Sequence, residues 1–256
     1  MKTAGLGVRD VVGVVRDAQA TAAAPARLVV YGLLAEELAK SLRTGSTRAG
    51  AVQVGSNPAH ASALVVVVAG APGPAEERVL RQAARHSTPV LVVQTDPRVA
   101  HSSPYVLATD VVDCPPGQGF PVPEIARGLA RVLGRNGIGL AAQLPVLRDP
   151  VASDLIRTAS WQAAAIGVAP WSKRAHFPAM TLLQWRLVLD LAAVHGKPMG
   201  TDSAPELGAV TGTGLGVRGV VRRLPRLPLI GGATGYLATR AIGEAAIRRH
   251  AAGLTQ

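Results

Sequence analysis

The chain has 256 residues, of which 48% are hydrophobic and 3% are aromatic, so the core must be built mainly from aliphatic side chains. The formal net charge of +11 suits anionic lipid, nucleic acid or an acidic partner. The eight aromatic residues, none within a basic run, argue against base stacking on single-stranded nucleic acid. The single cysteine, Cys114, excludes an intramolecular disulfide and a multi-cysteine metal site.

The first half of the chain alternates between helical and strand patterns. Valines at positions 8, 11, 12 and 15 predict a helix over residues 5–20, and a loop follows over 20–26. Further on, the pattern predicts strands over 26–32, 50–55, 63–70, 88–96 and 105–113, and helices over 33–45, 74–87 and 121–137. This alternation predicts an α/β fold with a parallel sheet covered by helices on both faces.

Charged residues interrupt the apolar positions of the N-terminal segment, namely Arg9, Asp10, Arg16 and Asp17. A secretory signal needs an uninterrupted apolar region, so we do not expect one here. The expected location is cytoplasmic, and a peripheral position on the inner face of the cell membrane stays open.

The pattern changes at about residue 138, after which no strand is predicted. Helices are expected over 150–169 and 178–196, and a helical hairpin follows them. We therefore expect an N-terminal helix and spacer (1–25), an α/β domain (26–140) and a helical domain (150–250). The basic excess lies in the helical half, since residues 151–256 carry 12 Lys and Arg against 5 Asp and Glu.

Small residues recur at four-residue spacing in two rows near the C-terminus. The first row is Gly208, Gly212 and Gly216, and the second is Gly231, Gly235, Thr239 and Gly243. Such spacing lines up small side chains on one helix face. Glycine within a helix costs about 1 kcal/mol relative to alanine, so two such rows indicate closely packed helices.

The turn between the two rows is the densest basic run of the chain. This basic elbow contains Arg218, Arg222, Arg223 and Arg226. It is either a solvated loop or a contact with anionic lipid head groups or an acidic partner. The flanking uncharged runs, 207–217 and 227–239, are shorter than the ~20 residues of a membrane span. The sequence leaves three roles open for the rows of small residues: shallow insertion into a membrane, oligomerisation and packing within a soluble helical bundle.

Three segments of the second half resemble the bacterial GTPase-associated domain of unknown function. They are 163–170, 182–196 with Gln184 and Gly196, and 225–247 with Thr239, Ala241 and Gly243. The resemblance implies a helical module that accompanies an Era-like GTPase domain. His195 stands where that family usually has a tyrosine, and residues 172–176 stand where an acidic residue is usual.

The first half resembles the α/β domain of an Era-like GTPase without its nucleotide motifs. A phosphate loop needs two glycines five residues apart, then Lys and Ser or Thr. Here Lys40 and Ser41 arrive two residues late after Gly32. Of the guanine-recognition motif only Asp96 is kept, and it also suits a turn before Pro97.

We therefore expect a non-enzymatic adaptor with no cofactor and no metal. Its partner would be a protein or an anionic membrane surface, and a homo-oligomer is open. The alternative is an atypical nucleotide-dependent hydrolase that uses Lys40, Ser41 and Asp96. Nucleic-acid binding by the basic helical half is the weaker alternative.

Asp110 and Asp113 are interpreted as solvated acids at a strand end, since no partner for acid–base chemistry is identifiable.

Overall fold

The computed structural model describes residues 8–24, 26–99, 103–115, 117–168, 173–197 and 228–252. The chain divides into two compact units. Ala24–Val151 form the first, here called the α/β unit. Met1–Ala23 together with Ala152–Gln256 form the second, here called the helical unit.

The α/β unit is built on one five-stranded sheet in which all paired strands are parallel. The strands are β1 (Leu28–Gly32), β2 (Val52–Val54), β3 (Ala63–Val68), β4 (Val90–Gln94) and β5 (Val111–Asp113). Their order across the sheet is β2-β1-β3-β4-β5. Every residue of β3 is buried, as expected for a central strand with both faces covered. The predicted parallel α/β class is confirmed.

Helices cover both faces of this sheet. The helices of this unit are α2 (Ala35–Leu42), α3 (Pro74–Arg85), α4 (Val122–Leu133) and α5 (Ile138–Gln143). On one face Val79, Leu80 and Ala83 of α3 pack in one cluster with valines of β3 and β4. On the other face Gly128 of α4 lies against Leu91 and Val112. Neighbouring positions of β4 thus serve opposite faces.

Several element boundaries differ from the sequence-based expectation. Strand β5 has only three residues, because Ala108–Asp110 form a 3-10 turn instead of the first part of a strand. Helix α4 ends at Leu133, where Gly134 takes a φ of +50° and a 3-10 turn follows. Helix α1 (Val8–Ala23) continues through the alanines expected to form a loop, since alanine is the best helix former.

The described part of the helical unit contains α1, α7 (Lys173–Val194) and α8 (Pro228–Ala252), and α6 (Arg148–Val168) leads into it. Helix α1 packs on α7, where Asp17 and Arg186 form an ion pair of 2.9 Å. Helix α7 also packs on α8 through Val188 and Ile242. No helix in the described ranges is both long and apolar enough to cross a membrane.

Candidate functional site

The turn after β1 brings two leucines to the carboxyl edge of the sheet. A Cβ atom on Gly32, whose φ is +105°, would lie 2.1 Å from the Val67 carbonyl oxygen. The next residue, Leu33, donates its backbone N–H to that same oxygen at 3.0 Å. Leu34 directly precedes α2, and its backbone lies in the left-handed region with a φ of 52°. Both leucines are about half exposed, at 51% and 47%.

The turn after β4 is organised by a buried glutamine, Gln94. Its Nε2 atom donates to the Asp96 carbonyl oxygen at 2.7 Å and also to the Val99 carbonyl oxygen. The next residue, Thr95, donates both its backbone N–H (2.9 Å) and its hydroxyl (3.3 Å) to the Val68 oxygen. Gln94 thus holds the turn, and the bonds to Val68 hold Thr95 at its start. No role was predicted for Gln94, although a polar residue that closes an apolar strand is a visible signal in the sequence.

The residues after β5 supply the third wall of this edge. The Cys114 backbone N–H donates to the Gln94 carbonyl oxygen at 2.7 Å. Its thiol lies 3.7 Å from the Gly119 carbonyl oxygen as a donor. Burial, with a smaller contribution from the negative charge of Asp113, raises the pKa of the Cys114 thiol. The thiol is therefore protonated at neutral pH and is a poor nucleophile.

Together these turns enclose a cavity of about 310 Å³, here called the carboxyl-edge pocket. Its lining residues come from the turns after β1, β4 and β5 and from the first turn of α2, and are Leu34, Glu37, Thr95, Cys114, Pro115, Gly117, Gly119 and Phe120. Ligands of open α/β sheets bind outside the carboxyl ends of the strands, so this is the expected place for a site. None of the described lining residues is a lysine or an arginine.

The structure does not bring the predicted nucleotide-binding residues together in this pocket. Lys40 is exposed in the last turn of α2 and is not among the lining residues. The Ser41 hydroxyl donates to the Glu37 carbonyl oxygen at 3.0 Å, an ordinary contact within a helix. Asp96 closes a turn, as its Oδ1 accepts from the backbone N and from the Nε of Arg98, each at 3.2 Å.

These hydrogen bonds from Arg98 also lower the pKa of Asp96, which keeps the carboxylate charged in its turn. A second predicted acid, Asp110, lies 3.6 Å from the Nε of Arg131, which makes it part of an ion pair. Within the described ranges, no three His, Cys, Asp or Glu side chains are grouped as they would be around a metal ion.

The second row of small residues packs against two helices of the helical unit. A Cβ atom on Gly235 would lie 2.8 Å from the Ala163 carbonyl oxygen of α6. One on Gly243 would lie 2.6 Å from the Ile156 side chain of the same helix. Thr239 faces α7 instead, and its hydroxyl accepts a 3.3 Å hydrogen bond from the buried Gln184 amide.

Other positions of the two rows differ in what the structure describes. Gly231 lies within α8. Gly232, which was not predicted, also lies close to α6. A Cβ atom added there would stand 2.7 Å from the Val168 side chain. The first row (Gly208, Gly212 and Gly216) and the basic elbow (Arg218, Arg222, Arg223 and Arg226) lie outside the described residues. Of the resemblance positions, Gln184 and Thr239 are in direct contact.

A scan against protein-family models found no match for this chain, and searches of curated proteins and of solved structures found none either. The resemblance to a GTPase and its associated domain therefore depends on the sequence segments named above.

Proposed function

We propose that this protein is a non-enzymatic adaptor. Its α/β unit is a GTPase-like domain that has lost nucleotide chemistry, and its helical unit attaches to a protein partner or to an anionic membrane surface. The fully parallel β2-β1-β3-β4-β5 order is one of the common orders of doubly wound sheets, so the GTPase-like ancestry rests on sequence resemblance alone.

The observation that carries the proposal is the chemistry of the carboxyl-edge pocket. A phosphate site at this edge would offer free backbone N–H groups and a cationic side chain. Here the turn after β1 presents Leu34 and Glu37 instead. A carboxylate in this position repels phosphate, and the protonated thiol of Cys114 offers no nucleophile.

Packing supports an attachment role for the helical unit. The glycines of α8 allow close approach to α6, and Gln184 and Thr239 join α7 to α8 without solvent contact. Small-residue contacts and one buried hydrogen bond give helices a defined register. A rigid helical unit with an excess of basic residues is suited to present a cationic surface.

Flotation with liposomes tests the membrane branch of this proposal. The full chain is mixed with neutral or anionic vesicles, and a second sample carries Gln at Arg218, Arg222, Arg223 and Arg226. Membrane attachment predicts flotation with anionic vesicles only, and loss of flotation in the variant.

A control of equal charge change carries Gln at four exposed arginines of the α/β unit, Arg48, Arg78, Arg85 and Arg127. This control should float like the unchanged chain if the elbow is the contact. Equal loss in both variants would mean that only net charge matters. Absence of flotation in every sample would exclude attachment to a membrane surface and leave attachment to a protein partner.

A further inference from the structure

The polar side chains of the carboxyl-edge pocket present acceptors to its interior. The Thr95 hydroxyl proton is donated to the Val68 oxygen, which leaves its lone pairs free. The Cys114 proton points to the Gly119 oxygen. Glu37 has only acceptor atoms when ionised. A group that enters between them is favoured if it is rich in donors and carries a positive charge.

The N-terminus of α2 does not reverse this preference of the pocket for a positive charge. Unpaired N–H groups at a helix start favour anions. However, Glu36 and Glu37 occupy the first turn of α2 and already supply negative charge there. Asp113, the exposed last residue of β5, adds a third carboxylate next to Cys114. The nearest cation in the turn after β4, Arg98, is paired with Asp96. Among the described residues of the first turn of α2 and of the turns after β4 and β5, acids therefore outnumber bases, although the net charge of the protein is +11.

The remaining walls are apolar and include a residue that has no evident folding reason for its conformation. Leu34, Pro115 and Phe120 line the pocket, and Leu33 stands exposed beside Leu34. A left-handed conformation costs a non-glycine residue about 1–2 kcal/mol. Leu34 has this conformation while about half of it stays in solvent, so burial does not offset the cost. Strain of this kind is often found at ligand sites.

We propose that the carboxyl-edge pocket binds an ammonium or guanidinium group carried on an apolar stem, such as a lysine or arginine side chain within an apolar segment of a protein partner. The cation would pair with Glu37 and donate to Thr95, and its stem would lie against Leu34 and Phe120. This inference rests on the proposed adaptor function and gives its partner a chemistry.

The test is a titration of the isotope-labelled full chain, followed by the NMR signals of Leu34 and Thr95. Three capped tripeptides differ only in the central residue: Leu-Arg-Leu, Leu-Gln-Leu and Leu-Glu-Leu. The arginine peptide should bind at least several-fold more tightly than the glutamine peptide, and the glutamate peptide should give no shift. A separate titration uses n-butylguanidinium. Affinity equal to that of the arginine peptide would mean that a free organic cation is sufficient, and weaker affinity would mean that the flanking leucines contribute; either result supports the site.

Two variants of adjacent residues separate the site from a general charge effect. Both Glu36 and Glu37 are exposed in the first turn of α2, but only Glu37 lines the pocket. Glu37→Gln should weaken the arginine peptide by about three- to tenfold, as expected for a partly exposed charged hydrogen bond. Glu36→Gln should leave the affinity within about twofold. Equal weakening by both variants, or no preference for arginine in the unchanged chain, would overturn the proposal.

A parallel titration with Mg²⁺ and GTP distinguishes this inference from the function on which it rests. If GTP shifts the signals of this edge, the adaptor proposal fails. If neither GTP nor the arginine peptide shifts them, the cation site fails while the adaptor proposal stands.

Discussion

At the scale of single residues, Cys114 gives the clearest chemical expectation. Because burial raises its pKa, the fold favours the protonated thiol. The resulting contribution to stability is present below the pKa of the unfolded thiol and is lost as pH rises through the folded value. The thiol then helps to hold the turn through Gly119 instead of taking part in a reaction.

Alkylation by iodoacetamide should therefore be slow in the native protein. The rate should be several-fold below that of the same chain unfolded in urea at neutral pH, and it should keep rising at pH values where the unfolded rate has levelled off. Since the chain has one cysteine, all incorporated label reports this site. The shift of the pH midpoint separates a raised pKa from simple steric protection. A native rate equal to the unfolded rate at neutral pH would contradict the assignment.

Residues such as Leu34 and Gln94 show why the site was not predicted. Leu34 follows a turn in which Gly32 closely approaches the Val67 oxygen, which belongs to a strand more than 30 residues away in sequence. The role of Gln94 depends on two carbonyl oxygens of a turn that forms only in the folded protein. A polar residue at the end of an apolar strand is visible in the sequence, but the partners of Gln94 and the conformation of Leu34 are not.

At the scale of elements, the packing of α8 agrees with the reason given for its row of small residues. Gly235 and Gly243 stand where a side chain would meet α6. The predicted second row therefore includes contact positions, although Gly232 also contributes and was not foreseen. Spacing identified the face of the helix, but it could not identify α6 as the helix opposite that face.

Substitution of these glycines should destabilise the protein even though alanine favours helices. In Gly235→Ala the new Cβ would meet a backbone oxygen, which cannot rotate away. Overpacking costs typically 1–3 kcal/mol, and the propensity gain is about 1 kcal/mol. We expect a net loss of up to about 2 kcal/mol from these two terms. Tryptophan fluorescence during urea unfolding measures it, because all three tryptophans lie in residues 161–185.

Gly13→Ala is the matched control for this substitution. Gly13 is exposed within α1, and a Cβ atom there would have no neighbour within 4 Å. This change should stabilise the same unit by up to about 1 kcal/mol. If both alanine variants were stabilising, close packing would not be the reason for the glycine row.

At the scale of the whole molecule, the alternation of apolar strands and amphipathic helices was sufficient to predict a parallel sheet covered on both faces. Strands that are buried on both sides leave continuous runs such as Ala63–Val68, and these are readable without a structure. The strand order and the carboxyl-edge pocket were not predictable in this way, because they depend on how distant turns meet. The nucleotide alternative depends on the same kind of information, since Lys40 and Asp96 were chosen by their order in the sequence.

The proposed adaptor function requires that the α/β unit has no nucleotide chemistry. Isothermal titration of the purified full chain with GTP, in the presence and in the absence of Mg²⁺, tests it most directly. We expect no saturable heat in either condition, because Glu37 and apolar side chains occupy the edge where phosphates would bind. Tight binding that requires Mg²⁺ and is lost in Lys40→Ala would contradict it and would restore the hydrolase alternative.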